Sequence, residues 1–267
     1  MEIATRFTSP NFSINFFGFG NDTPNFDEDL ELDYNRVRIR NLNFSPSLVW
    51  RGRLGAKFKA GLKYESIEVE ETNDRFINEF YQANGEETQN SFVSANMSYE
   101  FENRDNQAFP ALGMATALNI SYTSDLSSSN GFGTIIPSLA FDYKLVPNGR
   151  IVLATKWKAH FILGDTFEFY QGASIGGVDG LRGYRNQRFT GKTSYYQNTD
   201  IRFNLSKVKT NILPTTLGIY GGFDYGKVWL PNIDSDTWHT SYGGGFFLNA
   251  SDLMSLNLAL FNSDDGP

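Results

Sequence analysis

The 267-residue chain contains no cysteine. That excludes a disulfide scaffold and any thiolate-bound metal. It has two histidines, His160 and His239, far apart in sequence and without paired carboxylates beside them, which makes a poor metal centre. No stretch approaches the ~18 consecutive apolar residues of a membrane-crossing helix. Basic residues are outnumbered, 23 Lys+Arg to 30 Asp+Glu, and a net charge of −7 disfavours binding to phosphate-rich nucleic acid. The start, Met1-Glu2-Ile3-Ala4, lacks the basic and apolar regions of a secretory leader. The protein is therefore expected either to stay unexported or to lack its true N-terminus. Catalytic signatures are missing too. Ser174 stands in Ala-Ser-Ile-Gly rather than Gly-x-Ser-x-Gly. The glycines at 176, 177 and 180 neither follow a strand nor open a helix, so they do not make a phosphate cradle. We expect no enzyme activity, no cofactor and no metal.

Aromatic residues are abundant at 15%, with 24 Phe and 13 Tyr, and so many rings argue against disorder. Their spacing has a period of two. Leu112, Met114, Leu118, Ile120 and Tyr122 alternate with Gly113, Ala115, Asn119 and Ser121. The same alternation predicts strands over 32–48, 53–70, 90–104, 111–124, 132–145, 149–161, 196–207, 215–227, 240–249 and 253–262, with one more within 3–20. Near Asn41 the apolar phase slips by one residue, which predicts a β-bulge. These runs are roughly twice the ~5–6 residues common in globular strands and suit the ~9–11 of a tilted membrane-spanning strand. One face is apolar. The other carries Gly, Ser, Asn and paired lysines (Lys57 and Lys59, Lys156 and Lys158) that require water. Connections alternate short and long, as in outer-membrane barrels. The pattern predicts an all-β transmembrane antiparallel barrel with lipid outside and a wet lumen; a soluble barrel or sandwich is the competing architecture. Trp50, Trp157, Trp229 and Trp238 are candidates for interfacial girdles. The acidic run 27–33 reads as a solvated loop or a place that gathers divalent ions.

The connection 162–195 far exceeds the ~12–15 residues usual for structureless loops. It holds Leu181-Arg182-Gly183-Tyr184 among glycines and aromatics, so it should pack rather than wave in solvent. On the strand 217–227 the polar face presents Gly218, Tyr220, Gly222, Asp224 and Gly226, whose three glycines leave space beside one carboxylate. An inward-folded loop with Arg182 paired to Asp224 uses both features, with the pair serving as a positioning device.

Three ordered motifs now resemble a known family. Leu181-Arg182-Gly183-Tyr184 resembles the loop-six signature of the outer-membrane assembly and translocation superfamily (bacterial surface antigens), that of BamA, TamA and the two-partner-secretion transporters. Gly221-Gly222-Phe223-Asp224-Tyr225-Gly226 is similar to its strand-thirteen motif. Arg104-Asp105-Asn106-Gln107-Ala108-Phe109-Pro110 resembles one of its inter-strand turns. The resemblance implies a sixteen-stranded barrel, of which residues 1–267, read as one barrel domain, would supply about eleven or twelve strands. The first strands, the closing strand and the POTRA modules would lie outside the chain, leaving two open edges prone to aggregation. It implies that Leu181, Arg182, Gly183 and Tyr184 seat loop six, with Asp224, Phe223 and Gly226 as its lumenal partners. It implies an outer-membrane location. The implied partners are membrane lipid and lipopolysaccharide, unfolded outer-membrane or secreted clients, and accessory lipoproteins. Two other readings are kept. One is a membrane anchor behind a patatin-like or calcineurin-like phosphoesterase domain, which the segment 16–25 resembles. The other is a diffusion porin attracting anions through Lys57, Lys59, Lys156, Lys158 and Arg202.

Overall fold

The computed structural model describes residues 1–9, 12–24, 30, 33–85, 87–128, 130–164, 166–209, 214–231, 233–250 and 254–266. The acidic run 27–33 falls largely outside them. Eleven long antiparallel strands follow one another edge to edge. They are β1 (Glu2–Thr8), β3 (Arg36–Arg51), β4 (Ala56–Val69), β5 (Gln89–Glu102), β6 (Gly113–Asp125), β7 (Gly131–Lys144) and β8 (Ile151–Leu163), then β11 (Thr193–Lys209), β12 (Pro214–Trp229), β13 (His239–Ala250) and β14 (Met254–Ser263). A short β2 (Ser13–Asn15) also pairs with β3, so the segment 3–20 holds an interrupted strand. Among the described residues the sheet is not closed: β1 pairs only with β3, and β14 only with β13. The architecture is an incomplete transmembrane β-barrel. The longest connections, before β3, between β4 and β5 and between β8 and β11, share one rim; the turns at the other rim are shorter than these.

Alternation builds the wall, because successive side chains of a strand face opposite sides. Leu48, Trp50, Leu62, Met97, Tyr122, Tyr143, Leu163, Leu205, Phe246, Leu256 and Leu260 stand exposed on the outer face. In water this would be an aggregation surface; in hydrocarbon it is the ordinary outer band of a membrane barrel. Among the described residues no helix is long and apolar enough to cross a membrane.

The expected bulge at Asn41 is absent. Pairing of β3 with β4 keeps one register from Ile39↔Val69, through Asn41↔Ile67, to Arg51↔Lys57. What changes at Asn41 is the surroundings of each face. Below it the outward residues Leu42, Phe44, Leu48 and Trp50 are apolar because they meet lipid. Above it the inward residues Val37 and Ile39 are apolar because a hydrophobic cap covers them. That cap contains Phe16, Val69, Ile77, Tyr81 and Phe169. The long connection between β4 and β5 contributes α1 (Phe76–Asn84), whose Phe76, Ile77, Phe80 and Tyr81 pack into it. The register shift that does occur lies in β11 between Asn204 and Ser206, where Leu205 is the extra residue against β12.

Candidate functional site

The connection between β8 and β11 folds back into the barrel. It makes a 3-10 turn at Phe169–Gln171 and a small hairpin of β9 (Ala173–Ile175) and β10 (Phe189–Gly191). Gly176 at the hairpin's exit has φ +131, open to glycine and strained for other residues, and a side chain there would strike the Arg185 carbonyl and the Arg188 amide. The tip that follows is stitched by Gly177 N–H to the Leu181 carbonyl (2.9 Å) and Tyr184 N–H to the same oxygen (3.1 Å). Leu181 is fully buried in a cluster with Ile175, Tyr184, Phe189, Tyr196 and Val228. The apolar tip thus seats on the inner faces of β11 and β12.

This seating delivers Arg182 to the wall. Its Nε donates to Asp224 Oδ2 (2.9 Å) and its Nη2 to Asp224 Oδ1 (2.6 Å), a bidentate fork. The Arg182 backbone N–H also donates to Asp224 (3.0 Å), as does the Ser241 hydroxyl from β13 (3.1 Å). Nη2 reaches Asp200 of β11 at 2.7 Å. One face of the guanidinium lies 4.1 Å from the Phe261 ring of β14. The Asp224 side chain is 0% exposed, and the Arg182 guanidinium is the cation set against it. Burial alone would lower the pKa of Arg182; the hydrogen bonds to Asp224 and then Asp200 outweigh it and raise the pKa above its ordinary value. The same burial, with Asp264 nearby, pushes the Tyr184 phenol up to about 12. Two more ties fix the tip: Asn198 donates to the Gly180 carbonyl (2.7 Å) and Ser263 to the Gly183 carbonyl (2.7 Å).

The inner glycines of β12 each make room for a different occupant. A side chain at Gly222 would meet Arg182, Asp200 and Phe261; one at Gly226 would meet Tyr196 and Ile175. At Gly218 the space is taken by the Phe247 ring. Phe247 leads to a second inward-folded connection, the turn 103–112 at the opposite rim. Phe109 packs on Phe247 with centroids 4.2 Å apart and on the Arg202 guanidinium at 4.5 Å. Arg202 in turn donates to the Pro110 carbonyl (3.1 Å) and to Asp142 (3.4 Å).

The structure brings together Leu181, Arg182, Gly183, Tyr184, Asp224 and Gly226. It does not bring Phe223 to them. As the neighbour of inward-facing Asp224 it faces outward, 48% exposed, and takes no part in holding the loop. Asp200, Ser241 and Phe261 are partners that the motifs did not reveal. The signal for Asp200 was its phase, since it alternates with outward Ile201; nothing local said that it would face Arg182. His239, just before the strand expected over 240–249, opens β13 and stacks on Phe189 at 3.5 Å. The cations suggested for anion conduction are engaged: Lys57 with Glu100, Lys59 with Glu2, Lys158 with Asp179, Arg202 with Asp142, and Lys156 over Tyr196. Lys57 and Lys59 line a cavity of about 650 Å³ that the lumen keeps against β4, β5 and β6. Among the described residues no group of three or more His, Asp or Glu is arranged to hold a metal.

No curated protein sequence matches the chain. Among solved structures it is similar to BamA from Haemophilus ducreyi lacking POTRA domains 1–3, with 14% identity and a TM-score of 0.69 over 90% of this chain and 54% of that one. It is also similar to CdiB from Escherichia coli, with 17% identity and a TM-score of 0.56 over 87% of this chain and 42% of that one. At these identities the likeness is one of fold, and the chain spans about half the length of the structures it matches. Residues 2–254 match the Omp85 superfamily domain, and the chain belongs to that superfamily.

Proposed function

We propose that this barrel inserts or translocates other polypeptides at the bacterial outer membrane, with loop six held in its lumen by Arg182. The observation that carries the reading is the buried Arg182–Asp224 fork, set inside a wall of this family. The outer apolar face seats in lipid and lipopolysaccharide. Residues 1–267 act as part of one barrel domain. Arg182 and its two carboxylates fix loop six against β11 and β12, so the wall stays rigid there while strand pairing rearranges elsewhere. Client strands of unfolded outer-membrane or secreted proteins would pair through backbone hydrogen bonds at a sheet edge, with accessory lipoproteins assisting. The chain itself performs no covalent chemistry.

Arg182→Ala in the full-length protein tests the reading. The expected result is loss of heat-resistant compact migration on gels together with falling client insertion or secretion. Unchanged migration and unchanged client levels would sink it. If depletion of the protein leaves clients untouched and instead strips an enzyme activity from the cell surface, the barrel is a membrane anchor.

A further inference from the structure

A second arginine of loop six does a different job. Arg188 is 3% exposed. Its Nε donates to Asp265 Oδ2 (2.5 Å), its Nη1 to Thr23 Oγ1 (2.7 Å) and its Nη2 to the Thr23 carbonyl (2.9 Å). Phe17 and Phe189 cover the guanidinium, with their centroids 4.9 and 4.6 Å from its carbon. A planar, delocalised cation between two rings, with its edge forked onto oxygens, is a geometry that lysine cannot reproduce.

The partners of Arg188 differ in kind from those of Arg182. Asp224, Asp200 and Ser241 belong to wall strands already joined by ladder hydrogen bonds. Thr23 precedes β3, and Asp265 lies in the turn after β14. Among the described residues no strand ladder joins the segment around Thr23 to the turn 263–266. The segment around Thr23 covers the long-loop rim. Asn21 pairs with Val228 in both directions (2.8 and 3.0 Å), and Phe19 and Gly20 bridge to Thr190. Parting this segment from the turn 263–266 breaks side-chain contacts at Arg188 and leaves the strand ladders whole.

We propose that Arg188 is a clasp that holds the long-loop rim shut by tying the segment before β3 to the turn after β14, and that releasing it opens that rim. The clasp needs no particular client and stands apart from the assembly role. Arg188 is a positioning residue; it acts through the segments it joins.

Residues 1–267 contain no cysteine to take up label, and any cysteine elsewhere in the full-length protein is first replaced by serine. In the full-length protein, cysteines replace the exposed neighbours Asp22 and Asp264 and carry a pair of spin labels. With Arg188 present the interlabel distances form one narrow distribution. Arg188→Ala broadens and lengthens it, and raises open probability in planar bilayers about tenfold, equivalent to about 1.4 kcal/mol. Bridging the two cysteines with a short bis-maleimide in the Arg188→Ala protein returns conductance to its original level, which a purely structural defect would not do. Heat-modifiable migration stays intact, separating this result from failure of the Arg182 brace. If Arg188→Ala does not reach the membrane, Thr23→Val combined with Asp265→Asn leaves the guanidinium in place and carries the same reading. An unchanged distance distribution in the folded variant, or widened distances whose conductance the bridge does not restore, overturns the proposal.

Discussion

Loop six and the turn 103–112 enter the barrel from opposite rims, and both end on the same trio of an arginine, an aspartate and a phenylalanine ring. Ownership is reversed. In loop six the arginine arrives with the loop, while Asp224 and Phe261 wait on the wall. In the turn the ring arrives as Phe109, while Arg202 and Asp142 wait on the wall. The difference decides what each insertion costs to lose. Withdrawing loop six strips its cation from a fully buried Asp224, whereas withdrawing the turn leaves Arg202 beside its own carboxylate. The first is electrostatically committed and the second is held by packing.

That contrast orders the expected effects. Arg182→Ala should destabilise the barrel most, by about 3–5 kcal/mol, because it orphans a buried charge; denaturant titration of the folded band measures this. Asp224→Asn should cost more than Asp200→Asn, and equal losses would show that the fork is not the main tie. Phe109→Ala should cost about 2 kcal/mol, since a partly buried ring is lost without stranding a charge. A loss matching that of Arg182→Ala would erase the distinction between the two insertions. Gly183→Ala places a methyl about 2.9 Å from the Asn262 backbone and Ser241, and overpacking of this kind costs about 1–3 kcal/mol. Thermal unfolding would show it as a small shift.

The smallest effect concerns pH. Burial would raise the Asp105 carboxyl, but hydrogen bonds from the Ala111 and Leu112 amides and from Lys144 outweigh it and hold its pKa below the ordinary value. Its contribution to the turn is therefore complete above the unfolded carboxylate pKa of about 3.9 and lost as pH falls through the lowered folded value. Asp105→Asn should flatten stability between pH 5 and pH 2 (both about, by the linkage relation) while leaving loop six seated. An identical acid profile in the variant would remove Asp105 from the turn's support.

The strands were legible because lipid demands an apolar side chain at every second position, wherever in the barrel a strand stands. The inward face carries no such rule. Asp200 and Asp142 look alike in sequence, yet one meets Arg182 and the other Arg202, and only the closure of distant segments distinguishes them. Arg182 and Asp224 could be paired in advance because glycines on β12 announced a vacancy next to one carboxylate. Phe109 gave no such notice, as an aromatic in a turn reads equally well as an exposed girdle residue. Phe223 was grouped with the lumen because a motif is contiguous while a strand's two faces are not. Asn41 misled for a physical reason: a change of solvent across a straight strand imitates a bulge.

That change also works as a ruler. Outward apolar positions on β3 run from Leu42 to Trp50, about 27 Å of strand at ~3.4 Å per residue, or about 21 Å of depth at a tilt near 40°. Just beyond, Val37, Ile39, Ile67 and Val69 turn greasy on the inner side instead. The barrel cannot ride higher or lower in the bilayer without wetting one row or drying the other. Its vertical position is thereby written into the adjoining ends of β3 and β4, and the mouth that the cap covers is held at a constant height above the hydrocarbon.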